Sequence, residues 1–278
     1  KLCKADLRDA EAMGALVKSQ DVVFHVAAWL GADRPIPEPA HAINVEATEQ
    51  LVRLAAEAGV RRFVQVSTIA VYGAPPDGDV PVGWPLDTTA RNDEYGRTKA
   101  LGEQAAARLC KELGIEVAIV RPGMVYGPGS RTWTAGMLKL VRKGTPVLFG
   151  AGDGHASPIY IDDLVDLLVL AGSHPAAAGQ AFHAVERPSP WTEFFGFYSQ
   201  MAGRKLRKLP MWLASTLALA SEKLPLGLPL TRSRLLHIKS KPVYRIDQGK
   251  KLLGWEPRTS LVDGMDRSAE WLREIGKL

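Results

Sequence analysis

The sequence predicts an α/β fold built on a doubly wound parallel sheet, and three observations predict it. Short, nearly continuous apolar runs recur at 21–27, 62–67 and 115–120, the pattern of strands buried on both faces. Helix-length stretches with one apolar face separate them. The resulting β-α-β-α-β order lays helices over a parallel sheet.

The elements follow in order. Residues 2–5 read as a strand already under way. The run Asp21-Val22-Val23-Phe24-His25-Val26-Ala27 is the next strand. From about 39 to 58, Ile43, Ala47, Leu51, Leu54 and Ala55 share one helical face, and Gly59 stops the helix. Residues 62–67 form another strand. The stretch 73–91, rich in Gly, Pro and Asp, predicts a long loop. A helix follows over 92–113, closed by Gly114, and then the strand at 115–120. After Pro122, helices are expected at 133–143 and 162–171 and a short strand at 181–185. Beyond Trp191 the chain reads as mostly helical, broken by Pro210, Pro225, Pro229 and Pro242. The expected division is a sheet-bearing domain over 1–150 and a mainly helical region over 151–278, with residues from about 155 to 185 returning to the sheet.

Composition narrows the function classes. The chain has 278 residues, 46% hydrophobic and 23% charged, which excludes disordered and collagen-like chains. Cys3 and Cys110 supply neither a disulfide framework nor a metal-ligand spacing. Free thiols and no leader pattern point to a reducing, cytoplasmic location, and no metal site is expected. The longest apolar stretch, 211–220, falls short of the ~20 residues that a span requires. The net charge of +5 is uneven: residues 1–203 hold 19 basic and 23 acidic groups, residues 204–278 hold 16 and 7. No nucleic-acid motif or aromatic–basic interleaving accompanies this charge.

The chemistry concentrates at two places. Ser67 and Thr68 follow the carboxyl end of a predicted parallel strand, the edge at which open α/β sheets bind ligands. Tyr95 and Lys99 lie four apart in a predicted helix and share a face. An ammonium beside a phenol favours the phenolate and lowers its pKa from ~10. A tyrosine tuned in this way exchanges a proton with a substrate hydroxyl or ketone, while the Thr68 hydroxyl holds the same oxygen. The bland alternative is an aromatic ring packed on a lysine stem.

With these residues in place, the sequence resembles the extended short-chain dehydrogenase/reductases. That group includes nucleotide-sugar epimerases and dehydratases, 3β-hydroxysteroid dehydrogenases and dihydroflavonol-type reductases. The matches run in order along nearly the whole chain: Ala5-Asp6-Leu7-Arg8-Asp9, Phe24-His25-Val26-Ala27-Ala28, and Asn44-Val45-Glu46-Ala47-Thr48 with Ala47 where Gly is usual. They continue through Val66-Ser67-Thr68-Ile69-Ala70-Val71-Tyr72-Gly73, Tyr95-x-x-x-Lys99 and Arg121-Pro122-Gly123-Met124-Val125-Tyr126-Gly127. Tyr160-Ile161-Asp162-Asp163-Leu164 and Leu253-Gly254-Trp255-Glu256-Pro257 are later landmarks.

The resemblance implies a Rossmann-type domain that binds NAD or NADP, a small-molecule substrate, and a mainly helical substrate-binding region. It implies Thr68, Tyr95 and Lys99 as the catalytic set: Thr68 orients the substrate oxygen, Tyr95 is the acid/base, and Lys99 binds the nicotinamide ribose. Cofactor contacts are implied for Asp6 and Leu7 at the adenine, for Ala27 and Ala28, for Asn44, for Val66 and Ser67, and for Pro122, Gly123, Met124 and Val125 at the nicotinamide. Asp6 has a rival role as the cap of a helix beginning near Arg8, and Asn44 as a packing group within its helix. Family members pair through helices matching 39–58 and 92–113, so a homodimer is expected by analogy.

Three departures refine this reading. The family's glycine-rich diphosphate turn precedes its third strand, and nothing of that kind precedes Asp6. The first two strands and first helix are therefore expected to be missing, leaving the strand at 21–27 as an exposed edge and the cofactor weakly held. Gly150-Ala151-Gly152-Asp153-Gly154 reads as a surface turn instead. Ile69 and Ala70 replace the Asp-Glu of dehydratases. Ala156 and Ser157 replace the Arg-Asp with which nucleotide-sugar enzymes grip phosphates.

The expected function is hydride exchange between NAD(P) and a secondary alcohol or ketone more apolar than a sugar nucleotide. The alternatives are a nucleotide-sugar epimerase and a non-catalytic NAD(P)-binding sensor. The apolar stretch at 209–230, preceded by Arg204, Lys205, Arg207 and Lys208, has three readings: the wall of an apolar pocket, a membrane-surface contact, or core packing.

Overall fold

A computed structural model of the chain describes residues 2–30, 37–90, 93–223 and 232–278. Residues 2–6 are exposed and form no strand, which corrects the expectation at 2–5. Without a neighbour to complete the hydrogen-bond ladder, an extended segment has no reason to be a strand. Helix α1 (Ala10–Val17) follows, then β1 (Val22–His25), α2 (Pro37–His41) and α3 (Ala47–Glu57). A π-turn over Ala42–Glu46 joins α2 to α3, so the helix expected at 39–58 contains a widened turn.

Next come β2 (Arg62–Val66), a 3-10 turn (Ile69–Tyr72), β3 (Gly78–Val80), α4 (Glu94–Leu113), β4 (Glu116–Pro122) and β5 (Met124–Tyr126). The second half holds α5 (Met137–Arg142), β6 (Leu148–Phe149), β7 (His155–Ala156), β8 (Pro158–Tyr160), α6 (Ile161–Ser173), β9 (Gln180–Ala184) and β10 (Ser189–Pro190). It closes with α7 (Trp191–Ala202), β11 (Lys208–Leu209), α8 (Met211–Lys223), α9 (Arg232–Lys239), β12 (Pro242–Tyr244), α10 (Asp247–Leu253) and α11 (Leu261–Glu274).

The main sheet has the order β1-β2-β4-β9, all parallel, with β1 at its edge. Its register carries Phe24 to Val64, Val64 to Ala118 and Ala118 to Gln180. Adjacent residues of β2 face opposite ways, as the two-residue strand period requires. Phe63 packs with Met13, Leu51, Val52 and Leu109 under α1, α3 and α4. Val64 packs with Val120, Leu164, Leu167, Phe182 and Trp255 under α6 and α10. Both faces are thus covered, which is the doubly wound arrangement. Each such side chain, fully buried, contributes about 1.5–3 kcal/mol. A third cluster, with Met124, Tyr126, Leu138, Tyr160, Phe194, Tyr198 and Met265, holds α5, α7 and α11 against β5 and β8.

Two late sequence landmarks turn out to be one joint. The Asp163 carboxylate accepts hydrogen bonds from Arg258 N and Thr259 N, each at 3.0 Å, while Trp255 Nε1 donates to Asp163 O at 3.0 Å. This fixes the segment after α10 against the first turn of α6. Among the described residues, no helix is long and apolar enough to cross a membrane, and no cluster of His, Cys, Asp and Glu could hold a metal ion.

Candidate active site

The carboxyl end of β2 runs straight into the site. Thr68 is extended and caps the 3-10 turn, its Oγ1 accepting from Ala70 N at 3.2 Å. Helix α4 brings the partner residues. Asp93 caps it by accepting from Gly96 N at 2.9 Å, and Gly114, at φ +74°, ends it in the left-handed conformation that glycine adopts without cost. Tyr95 therefore sits in the first turn of α4 and Lys99 one turn later.

The structure brings Thr68 and Tyr95 together. Burial raises the Tyr95 phenol above its ordinary value, the Thr68 side chain opposes this by hydrogen bonding, and the Asp93 charge adds to the rise. Lys99 does not depress the phenol as its spacing predicts. Its Nζ donates to Val66 O at 2.7 Å, in the strand beneath. Burial brings the Lys99 ammonium down to about 8, with Glu103 opposing. A buried ammonium has three protons to place, and Val66 O takes one.

Asn44 is fully committed to other protein groups. Its Oδ1 accepts from Trp29 N at 2.8 Å, and its Nδ2 donates to Trp29 O at 3.1 Å and to Thr98 Oγ1 at 3.0 Å. It thereby ties the loop that follows Ala27 and Ala28 to α4, one residue before Lys99. Thr48 Oγ1 donates to Asn44 O at 3.0 Å, which leaves that oxygen to accept from His25 Nε2 at 2.9 Å. The proton of His25 is thus on Nε2. Burial, aided by the nearby Lys99 charge, brings His25 down to about 3, so this ring is neutral. The contact is intimate: a Cβ on Gly102 of α4 would stand 2.0 Å from Asn44 O.

The other candidates lie at the same sheet edge or outside it. Ser67 is buried, and its Oγ has no hydrogen-bond partner among the described residues. Pro122 and Met124 are buried, and Gly123 and Val125 are half-buried. Gly123 passes so close to Ser157 that a Cβ would meet Ser157 O at 2.0 Å. Ala27 is exposed and Ala28 half-buried beyond the end of β1. Asp6 is exposed and pairs with Arg8 at 2.7 Å, which holds its carboxyl far below the usual range. It does not cap α1; Asp9 does, accepting from Ala12 N at 3.1 Å. Leu7 packs at the margin of the α1 cluster.

Sequence reasoning missed a buried polar network one turn below Lys99. Glu103 accepts from Nε and Nη2 of Arg121, and Arg121 Nη1 donates to Tyr72 Oη and to Val82 O. His183 Nδ1 faces Arg245 O at 2.9 Å and must donate to it, so Nε2 accepts from the Tyr72 hydroxyl at 2.6 Å. The signal for Glu103 was present in the sequence: Tyr95, Lys99 and Glu103 repeat every four residues along one helical face.

Known proteins resemble this chain in sequence and in fold. The family model described as "NAD dependent epimerase/dehydratase family" matches residues 1–184. UDP-glucose 4-epimerase of Vibrio cholerae is 32% identical over 273 residues, spanning 91% of this chain and 77% of that protein. 3beta-hydroxysteroid-dehydrogenase/decarboxylase isoform 2 of Arabidopsis thaliana is 25% identical over 295 residues, 96% of this chain and 51% of that one. The solved structure of DesIV, a dTDP-glucose 4,6-dehydratase from Streptomyces venezuelae with NAD and TYD bound, superposes with a TM-score of 0.75 at 26% identity, covering 97% of this chain and 78% of that one. A chain with this sheet, this residue set and these relatives belongs to the NAD-dependent epimerase/dehydratase family of extended short-chain dehydrogenase/reductases.

The residues present fit the nicotinamide and ribose end of a dinucleotide. The orphaned Ser67 Oγ, the unspent protons of Lys99 and the crowded backbone at Gly123 all gather where β2 and β4 end.

Proposed function

We propose that the chain carries the proton-transfer machinery for oxidoreduction at a secondary alcohol carbon, with Tyr95 as acid/base, Thr68 as the group that orients the substrate oxygen, and Lys99 as the ammonium beside the cofactor ribose. The single observation that carries this reading is the meeting of Thr68 and Tyr95 at the carboxyl end of β2, with Lys99 anchored on Val66 O below them. Bound by Val66, Ser67, Lys99 and the backbone at 122–125, the nicotinamide cofactor supplies hydride acceptance and donation.

Every other step belongs to the side chains. The raised pKa keeps the Tyr95 phenol protonated near neutrality, the form that donates to a ketone oxygen during reduction. Thr68 donates to the same oxygen and fixes it opposite Tyr95. Asn44 holds the loop after β1 in register with α4. It is a positioning residue, because its amide is spent on Trp29 and Thr98.

The substrate reading favours an apolar alcohol. Ala156 is fully buried among Met124, Tyr126, Leu148 and Phe194, so the position at which the resemblance places a phosphate-gripping arginine is part of an apolar core. A second reading, sugar epimerisation with the same three residues, is supported by the Vibrio cholerae relative. Product analysis separates the two. The protein is incubated with NAD or NADP and, separately, with hydroxysteroids, other secondary alcohols and UDP-sugars. Net reduced cofactor with an apolar alcohol supports the first reading; an inverted sugar without net reduced cofactor supports the second.

A further inference from the structure

The basic C-terminal half contains a patch that the site above does not use. Parallel pairing of β6 with β11 sets Lys208 beside Leu148, and Arg207 O accepts from Val147 N at 3.3 Å and from Leu148 N at 3.4 Å. This lays the Arg204–Lys208 segment against the chain leaving α5. A Cβ on Gly144 would stand 3.3 Å from the Arg207 guanidinium carbon. Lys139, Arg142 and Lys143 lie in and just after α5, immediately before Gly144, and Arg142 Nη1 also donates to Lys277 O. All seven basic residues are exposed, and none makes an ion pair among the described residues. No acidic residue occurs between Phe194 and Ser221.

Folding does not account for all of this charge. Lys139, Arg142 and Lys143 sit at the end of α5 that a helix dipole favours for cations, and Arg204 and Lys205 follow the same end of α7, but Arg207 and Lys208 precede the N-terminus of α8, the end that disfavours them. The adjoining face of α8 is also unusual. Ala214 and Ala218 are buried against Leu235, with Phe149 and Leu209 alongside. That leaves Trp212, Ser215 and Thr216 facing outward, and Trp212 is 71% exposed. Neighbouring α9 exposes Leu236 at 58%.

We propose that this corner, the basic cluster of α5 and β11 together with the outward face of α8, docks on an anionic phospholipid bilayer. Seven unneutralised cations complement an anionic headgroup layer, and an exposed indole beside them is suited to the boundary between headgroups and acyl chains. Single-stranded nucleic acid fits less well, since it requires several aromatic platforms along a basic groove and the described residues of this corner expose a single ring, Trp212. One helix, α9, lies between α8 and the candidate active site. α9 packs on α8, and His237 Nε2 of α9 lies 3.9 Å from Oδ2 of Asp93, the cap of the helix that carries Tyr95. The proposal does not depend on the catalytic reading, and its test measures no activity.

The test is co-sedimentation of the whole protein with phosphatidylcholine vesicles, with and without phosphatidylglycerol. The protein is expected to bind only the anionic vesicles, less tightly as salt increases. Removing Arg204, Lys205 and Lys208 together, each to Gln, should weaken binding about a hundredfold, at about fivefold per charge. Trp212→Ser should weaken it several-fold while leaving the salt dependence intact. The same number of exposed charges removed elsewhere, Lys18, Lys111 and Lys251 to Gln, should leave it unchanged. All these side chains are exposed, and circular dichroism confirms that the variants fold. Absence of binding to anionic vesicles, or equal loss in the two triple variants, would overturn the proposal. So would binding that is unaffected by Trp212→Ser and competed away by heparin, which would assign the patch to a soluble polyanion.

Discussion

The Glu103 carboxylate accepts from both Nε and Nη2 of the Arg121 guanidinium, and the two side chains are buried together, one helical turn below Lys99. Removing one partner of such a pair strands a charge in the interior. Arg121→Met is therefore expected to cost about 3–5 kcal/mol in urea unfolding, with much of it recovered by adding Glu103→Leu. A loss below about 1 kcal/mol, the scale of a surface pair, would contradict the arrangement.

The joint at Asp163 makes a second prediction. Its carboxylate satisfies two backbone donors at once, and hydrogen bonds to a charged group contribute about 1.5–3 kcal/mol each. Asp163→Ala should lower stability by about 2–4 kcal/mol, and Asp163→Asn, which keeps one acceptor oxygen, by clearly less. Equal losses for the two variants would count against the geometry.

Glu186 predicts a pH dependence. Burial pushes its carboxyl up to about 7, although Tyr126 and the Tyr160 backbone donate to it. The folded state therefore holds a proton that the unfolded chain releases near its ordinary value of 4.5. Because the folded state binds more protons in this window, stability is greatest below pH 4.5 as far as Glu186 is concerned, and falls as pH rises toward 7. The full effect is about 3 kcal/mol. The expected result is a wild-type stability that declines across this range relative to Glu186→Gln, as measured by denaturant titration at a series of pH values; parallel curves would refute the assignment.

Gly102→Ala tests the seam between α4 and the π-turn. The added methyl would meet Asn44 O at 2.0 Å, and backbone cannot yield as a flexible side chain can. Overpacking of this kind costs about 1–3 kcal/mol, despite the better helix propensity of alanine. A stabilised Gly102→Ala variant would show that the two segments are less closely packed than described.

The parts of the fold that depend on local pattern were legible in the sequence. β2 and β4 announce themselves because strands covered on both faces read as apolar runs, and β1 reads as one too, although Phe24 is left exposed at the sheet edge. α4 announces itself through its one-sided pattern and the Gly114 stop. Two- and three-residue strands such as β3 and β12 carry no periodicity, since they exist through pairing between distant segments, here Gly78–Val80 with Pro242–Tyr244. The π-turn at Ala42–Glu46 was hidden because the periodicity assumes a regular helix: the widened turn buries Asn44 and Val45 and leaves Ile43, expected on the apolar face, half-buried. In the site, Tyr95 and Lys99 were visible from helical spacing alone. The Glu103, Arg121, Tyr72 and His183 network was not, because its four members come from different elements and meet only on folding. The lysine's effect on Tyr95 was overestimated because spacing gives a shared face but not the partner chosen, and Lys99 takes Val66 O.

The central claim is that Tyr95 moves the proton. The most direct test follows reduced nicotinamide by its near-ultraviolet absorbance during turnover of a secondary alcohol or ketone, comparing the wild-type protein with Tyr95→Phe at matched folded fraction. The rate is expected to be lower by about 10²–10⁴-fold in the variant, the usual contribution of a positioned acid/base, with unfolding behaviour little changed. A Tyr95→Phe protein that turns over at the wild-type rate would contradict it.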